Sequence, residues 1–435
     1  MGRLLNVVRP YLRGQWEAGW AAWDRFWFAP MLPWALGILR LISGLMLLYT
    51  HVVWGFALEE FFGPNGWQDP LLVQTHHNGS TAWSFWWLAP DAWLWTVHGL
   101  CLAVLAAYAV GLWTRVTSIL ALTIAISYAH RAPLANFGLD QINILTCLYL
   151  CFAPSGAVFS VDRLIVRFRE SNAALKKGEK PQFSSPVPTA GTRLATRLLQ
   201  VHMAILYLFA GLSKLKGDSW WDGNAIWLAA ANYEYQSNSL VWLCWHPWIV
   251  NIATHVTILW ETTFIFTVSK PRLRPLVLAV GAAMHLGIGM FLGMWTFGLA
   301  MMFTYVSYVP PERIERLQRL LLTWRPVESL PVEYVRTSVW QRGWLALRCA
   351  LDLRGRLEPT AVEVPEPLPQ VQVVTAAPLS PGEWWRQLRR QPPAWVFPAA
   401  NDGQHHPPRV LIARAYLRPL MELQEYFLMR GFEPR

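Results

Sequence analysis

The sequence carries little charge for its length. Asp, Glu, Lys and Arg make up 15% of its 435 residues, whereas soluble domains typically carry about a quarter. Hydrophobic residues make up 54%, which excludes an ordinary soluble protein. The five cysteines form no CxxC pair, so neither a disulfide framework nor a zinc site is indicated. Arginines interrupt residues 1–30 and leave no continuous apolar core, which excludes a cleavable signal peptide.

Long apolar runs and 27 tryptophans are what the sequence has in abundance. Indole rings collect at membrane–water interfaces, and a membrane-crossing helix needs roughly 17 to 25 mostly apolar residues. The sequence therefore predicts an all-α polytopic integral membrane protein with a short C-terminal appendage. The eight predicted spans are 34–58, 92–113, 115–133, 141–159, 196–216, 242–268, 274–293 and 296–310.

The distribution of basic residues predicts the orientation of these spans. Lys and Arg are absent from 59–91 and 217–241 but concentrated in 160–197 and after Pro310. Because short basic loops stay on the cytoplasmic side, both termini are predicted to be cytoplasmic. This pattern also accounts for the net charge of +10, so membrane lipids are predicted partners and nucleic acid is not.

Four regions follow from these patterns. They are an interfacial amphipathic helix at 1–33, a transmembrane domain at 34–310, a basic cytoplasmic linker within it at 160–197, and a basic cytoplasmic tail at 311–435.

The stretch "AGLSKLKGDSWW" (210–221) places two lysines at the end of an apolar run. Residues two apart on a helix point about 200° apart, so Lys214 and Lys216 cannot face the same cavity. A desolvated lysine is more easily neutral and can then act as a base. Two explanations of Lys214 stay open: a base in a cavity, or a structural residue that reaches the interface or pairs with Asp140 or Asp218.

Other polar residues inside the spans define a predicted site around Lys214, since such residues are costly in a membrane. The topology puts His130, Arg131 and Asp140 at the depth of Lys214, in an outward-facing cavity. Glu261 and His285 lie deeper, and either form its floor or pair with each other. The remaining candidates are Asn143 and Tyr207 as supporting residues, and Trp220 and Trp221 as cofactor-binding residues. No His, Asp and Glu pattern has metal-ligand spacing, so no metal is predicted.

Several segments resemble the horizontally transferred transmembrane (HTTM) domain family, which includes the vitamin K-dependent γ-glutamyl carboxylases. They are "LRLISGLMLLY" (39–49), "FGLDQINILTCLYLCFAPSGAVFSVDRL" (137–164), "YLFAGLSKLKGDSWWDGNAIW" (207–227) and "MHLGIGMFLGMWTFGLAMMFTYVSYVPPE" (284–312). The resemblance covers about 20–325. In the carboxylases the matching lysine deprotonates the hydroquinone form of vitamin K, so the resemblance gives Lys214 the role of base. His130 lies near the position of a functional histidine.

The resemblance implies a membrane enzyme, in a bacterial inner membrane, that uses a quinone or another apolar cofactor. The carboxylases carry a large lumenal domain, whereas residues 311–435 are basic and predicted to be cytoplasmic, so the substrate stays open. Two alternatives belong to other classes: a non-catalytic protein that binds or transports a lipid or quinone, and a structural subunit of a membrane complex.

Overall fold

The computed structural model describes residues 2–77, 81–177, 181, 183–232, 237–323 and 339–351. Throughout these ranges the regular structure is helical, and the nearest approach to a sheet is one isolated antiparallel bridge between Met31 and Thr189. The α-helices are α1 (Gly2–Phe28), α2 (Trp34–Gly55), α3 (Leu58–Phe62), α4 (Pro70–His76), α5 (Leu94–Val110), α6 (Thr114–Arg131), α7 (Gly138–Cys151), α8 (Val161–Lys177), α9 (Ala190–Lys214), α10 (Asp218–Trp221), α11 (Ala225–Ala230), α12 (Pro247–Thr267), α13 (Arg274–Leu292), α14 (Trp295–Thr304), α15 (Pro311–Thr323) and α16 (Val339–Leu351). Short 3₁₀ turns lie at Phe85–Trp87, Asp91–Trp93, Pro133–Ala135, Val241–Trp245 and Tyr305–Tyr308.

Among the described residues, five helical segments are long and apolar enough to cross a membrane. They are Trp34–Gly55, Asp91–Val110 (a 3₁₀ turn and α5), Ala190–Lys214, Pro247–Thr267 and Arg274–Leu292. Each overlaps one of the eight predicted spans. The other three predictions fall on shorter or more polar helices: α6 with 18 residues, α7 with 14 and α14 with 10.

Buried apolar side chains form two main clusters. One joins α2, α7, α9, α12, α13 and α14, around residues such as Leu199, Tyr207 and Phe264. The other joins α2, α5, α6 and α7, around Leu105 and Tyr128. Helices α2 and α7 contribute to both clusters, so they connect the two halves of the bundle.

The more polar segments are helical as well. Residues 2–28, within the region predicted as an interfacial helix, form one helix. The predicted linker, 160–197, contains helix α8 and the first turns of α9. Of the predicted tail, the described part consists of α15 and α16, and α16 packs on α8; residues 324–338 and 352–435 lie outside the described residues.

Arg40 of α2 lies inside the bundle. Its side chain is fully buried, and the guanidinium donates hydrogen bonds to the carbonyls of Tyr108 (3.0 Å), Ala109 (2.8 Å) and Phe159. Because the last carbonyls of a helix have no intrahelical partner, Arg40 satisfies the C-terminal end of α5.

Candidate functional site

The last residue of α9, Lys214, forms an ion pair with Glu261 of α12. The ammonium nitrogen lies 2.8 Å from Glu261 Oε2 and donates a hydrogen bond to Oε1 at 3.0 Å. The side chains retain 24% and 10% of their exposure, respectively. Lys214 is therefore a paired, largely buried cation, and its partner is neither Asp140 nor Asp218.

A glycine permits this contact. Gly211 lies one turn before Lys214, and a Cβ at its position would be 2.8 Å from Thr262 Cγ2 and 3.0 Å from the Thr262 backbone nitrogen. Small residues let the backbones of membrane helices approach closely. The close crossing of α9 and α12 at Gly211 brings the Lys214 side chain beside Glu261.

The pair lies well inside α12. At about 1.5 Å per residue, Glu261 is roughly 21 Å along the axis from Pro247, the first residue of the helix, and roughly 9 Å from Thr267, the last. Glu261 Cβ lies 3.0 Å from the Cβ position of Gly211, one turn before Lys214, so the Lys214 side chain turns back along α9 to reach the carboxylate. Helix α9 therefore ends beside the interior of α12 and not beside one of its ends.

Helix α9 ends at Lys214, so Lys216 lies in the following turn and not on the same helix as the spacing argument assumed. Lys216 is exposed, whereas Lys214 is partly buried. The Trp220 ring lies 5.3 Å from the Lys214 ammonium, measured to the ring centroid, a distance at which a cation is attracted to an aromatic face. Trp221 is exposed and donates its indole N–H to the carbonyl of Leu215 at 2.8 Å. Of the two predicted tryptophans, Trp220 is therefore the one beside the cation.

A second polar network lies in the same half of the bundle. The Tyr207 hydroxyl is 2.8 Å from His285 Nε2 and 2.8 Å from the Tyr305 hydroxyl. Tyr207 also packs against the Trp260 ring, with centroids 4.7 Å apart. His285 therefore bonds Tyr207, and the expected pairing of His285 with Glu261 is not formed. Tyr305 was not among the predicted site residues. Its place in the apolar run 296–310 was the signal that could have indicated a buried hydroxyl group.

The remaining predicted residues contact other parts of the chain. Arg131 is buried and donates to the carbonyls of Gln68 (2.9 Å), Phe62 (3.2 Å) and Gly63 (3.3 Å). His130 Nδ1 lies 3.1 Å from the backbone nitrogen and 2.9 Å from the carbonyl oxygen of Trp83. Both residues thus fasten the segment between α2 and α5 onto α6.

Asp140 and Asn143 belong to α7. An Asp140 carboxylate oxygen accepts the backbone N–H of Phe137 at 2.9 Å, at the start of the helix. Asn143 is buried, and its amide nitrogen has no hydrogen-bond partner among the described residues. None of His130, Arg131, Asp140 and Asn143 bonds Lys214, so the predicted single cluster is divided between two halves of the bundle.

A small pocket adjoins Asp140. His51, Tyr128 and Asn136 also line it. His51 Nδ1 lies 2.7 Å from the carbonyl of Leu47; since a carbonyl only accepts, Nδ1 carries the proton and Nε2 is the acceptor. His98 Nδ1 lies 2.6 Å from the hydroxyl of Tyr128, one of the residues that line the pocket. The sequence held no signal that these polar residues converge.

Within the described ranges, no group of three or more His, Cys, Asp or Glu side chains is arranged to hold a metal ion. Around Lys214 the structure places an ammonium, a carboxylate and an indole face.

The fold and this site define a helical protein with five helices capable of crossing a membrane and a charged pair between two of them. Comparison of the chain with family models, with curated proteins and with solved structures gives no match.

Proposed function

We propose that the protein is a membrane enzyme in which the Lys214 and Glu261 pair moves a proton to or from a lipid-soluble hydroxyl compound of the quinol type. The observation that carries this proposal is the ion pair itself, at 2.8 Å between α9 and α12. The resemblance of residues 207–227 to the HTTM segment supports the role of Lys214 as the base.

An ion pair inside a membrane protein calls for an explanation other than stability. Moving two charges out of water costs several kcal/mol per ion in real proteins, and well-packed apolar residues often serve stability as well or better. Ionisable residues in membrane spans usually mark transport or proton-transfer sites. The pair is thus a candidate for proton transfer rather than for stabilising the packing of α9 against α12.

Glu261 would give Lys214 a way to act as a base. Transfer of one proton from the Lys214 ammonium to the Glu261 carboxylate produces a neutral amine beside a neutral acid. The amine then takes a proton from a hydroxyl group of the bound compound, and the resulting anion lies beside the new ammonium. No charge enters or leaves the site in either step, which limits the cost in a medium of low dielectric constant.

The residues present fit a quinol. Its ring can stack on the Trp220 face, and its hydroxyl can reach the Lys214 nitrogen on the side that remains accessible to solvent. When bound, such a compound supplies an acidic hydroxyl and two electrons for oxidation. Lys214 would orient that hydroxyl, while Glu261 holds the transferred proton.

Native mass spectrometry of the full-length protein in mild detergent tests the proposal, with vitamin K hydroquinone as the probe under anaerobic conditions. Wild type and Lys216→Met, the exposed control, are expected to retain the probe, whereas Lys214→Met loses it. Equal retention by all three proteins would contradict the proposal. If Lys214→Arg retains the probe as wild type does, and neither protein oxidises it in air, the site needs only a positive charge, as the non-catalytic binding alternative expects.

We also propose that α6, α7 and α14 complete a set of eight membrane-crossing segments, with both termini cytoplasmic in a bacterial inner membrane. The alternation of basic and non-basic loops supports this arrangement.

A further inference from the structure

Arginines gather where α9 begins, at the end opposite Lys214. Arg193 and Arg197 are four residues apart on this helix, so their side chains lie on one face, one turn apart. Arg193 Nε donates to the carbonyl of Ala29 at 3.1 Å, and Arg197 Nε donates to the carbonyl of Phe26 at 3.3 Å. Both guanidiniums are therefore held at the C-terminal end of α1.

A third guanidinium, that of Arg274, is tied to the same place by hydrogen bonds. Arg197 Nη1 donates to Gln200 Oε1 at 2.7 Å. The carbonyl of Gln200 accepts the Tyr308 hydroxyl at 2.7 Å, and the Tyr308 carbonyl accepts from Arg274 Nη1 at 3.4 Å. Arg193 and Arg274 are both close enough to Arg197 to repel its charge.

This cluster lacks a matching negative charge in the part of the chain that the structure describes. There, no carboxylate lies within 4.0 Å of any of the three guanidiniums, and Glu312 acts on Arg193 only at longer range. The terminal nitrogens of Arg193 and the Nη2 of Arg197 have no hydrogen-bond partner in those ranges. Like charges one turn apart repel, so an anion with several acceptor oxygens would stabilise the cluster.

The surroundings favour a lipid as the source of that anion. The Phe26 ring lies under the Arg197 guanidinium at 4.4 Å, and Trp16, Trp20 and Trp23 are exposed along α1. Exposed indoles are typical of residues at the headgroup level of a bilayer. Basic pockets between helices on the cytoplasmic side bind anionic headgroups, and this end of α9 is predicted to be cytoplasmic.

We propose that Arg193 and Arg197, assisted by Arg274, bind the phosphate of an anionic phospholipid in the cytoplasmic leaflet, with its acyl chains beside the aromatic residues of α1. The bound lipid would neutralise the cluster and fasten α1 to α9. This site is independent of the proposed function of Lys214.

Native mass spectrometry of the full-length protein in mild detergent tests the proposal with two lipids of equal chain length, phosphatidylglycerol and phosphatidylcholine. Wild type is expected to prefer phosphatidylglycerol. Removing a charge should reduce that preference about fivefold for each guanidinium, so Arg193→Gln/Arg197→Gln loses roughly 25-fold. The matched control is Arg115→Gln/Arg272→Gln, which removes two exposed charges from cytoplasmic turns and should change the preference less than twofold.

Two further measurements keep the test decisive. If the double glutamine variant does not fold, Arg193→Gln alone is used, with an expected loss of about fivefold, while Arg193→Lys/Arg197→Lys should keep most of the preference. Equal losses in the test and control variants would overturn the proposal. Removal of the lipid preference by millimolar inorganic phosphate at constant ionic strength would also overturn it, because the site would then take a soluble anion.

Discussion

Replacing Glu261 by Gln should destabilise the protein more than replacing Lys214 by Met. Glu261→Gln keeps the shape but leaves the Lys214 ammonium, 24% exposed, without its counter-charge. Breaking a buried ion pair costs about 3–5 kcal/mol, and a lysine at the centre of a membrane helix about 2.5–3.5 kcal/mol. Because Lys214 retains some contact with solvent, we expect a loss of about 2–3 kcal/mol in the free energy of unfolding.

Lys214→Met leaves Glu261 alone. Either charge can be lost by proton exchange, but at pH 7 a carboxylate becomes neutral at lower cost than an ammonium, because the reference pKa of about 4.3 lies nearer to 7 than the lysine value of about 10.4, so we expect a smaller loss of about 1–2 kcal/mol. The double variant Lys214→Met/Glu261→Gln removes both charges and should cost only about 1 kcal/mol. The coupling energy of the double-mutant cycle is then about 2–4 kcal/mol.

The assay is unfolding by sodium dodecyl sulfate titrated into mild-detergent micelles, followed by tryptophan fluorescence. If the costs of the two single variants add to within about 0.5 kcal/mol in the double variant, the side chains do not interact energetically and the argument from the pair fails.

Three further predictions concern other parts of the bundle. Gly211→Ala should lower the free energy of unfolding by about 1–3 kcal/mol, because its Cβ meets the backbone of α12; Gly99→Ala, with open space at its Cβ position, should change it by less than about 1 kcal/mol. Arg131→Gln should speed hydrogen exchange in residues 62–68, whose carbonyls Arg131 holds, while exchange in α9 stays as in wild type. Cys244 is exposed and lies in the 3₁₀ turn Val241–Trp245, just before α12, at the end of that helix proposed to face outward, so it should react with a membrane-impermeant maleimide in spheroplasts; labelling only after lysis would contradict the proposed topology.

The sequence predicted what depends on local pattern. Apolar run length located the five helices that are long and apolar enough to cross a membrane, because the rise per residue of a helix is fixed. Lys216 is exposed and Lys214 is partly buried, but α9 ends at Lys214, so the turn after the helix and not the helical period separates the two lysines.

The sequence could not predict which helices touch. The Lys214 partner was expected among residues near in the chain or at the same end of a span, but Glu261 enters through the close crossing at Gly211. Arg131 was expected in the cavity, but it turns to three carbonyls of the segment between α2 and α5. Residue type showed that each side chain needs a partner, and a loop carbonyl satisfies a guanidinium as well as a carboxylate does.

The early end of α9 explains how a polar segment can lie beside the middle of a spanning helix. After Lys214 the chain no longer runs beside α12 as a continuous helix. Residues 215–231 pack against the N-terminal half of α12 instead. Ile226 N–H donates to Thr254 Oγ1 at 3.3 Å, and Gly223, with φ of +75°, leaves room for the Asn251 side chain, which a Cβ would displace.

Irregular backbone at membrane depth is tolerated where protein covers it or where it lines a water-filled cavity. Side chains of α12 meet part of this requirement for residues 215–231, since Thr254 and Asn251 provide polar contacts where a lipid tail would provide none. The same irregular segment places Trp220 over Lys214 in place of another turn of α9. Under the proposed function, a proton donor that approaches Lys214 would meet a polar, partly open segment rather than a closed helix, and this opening would allow the lysine to exchange a proton with a ligand.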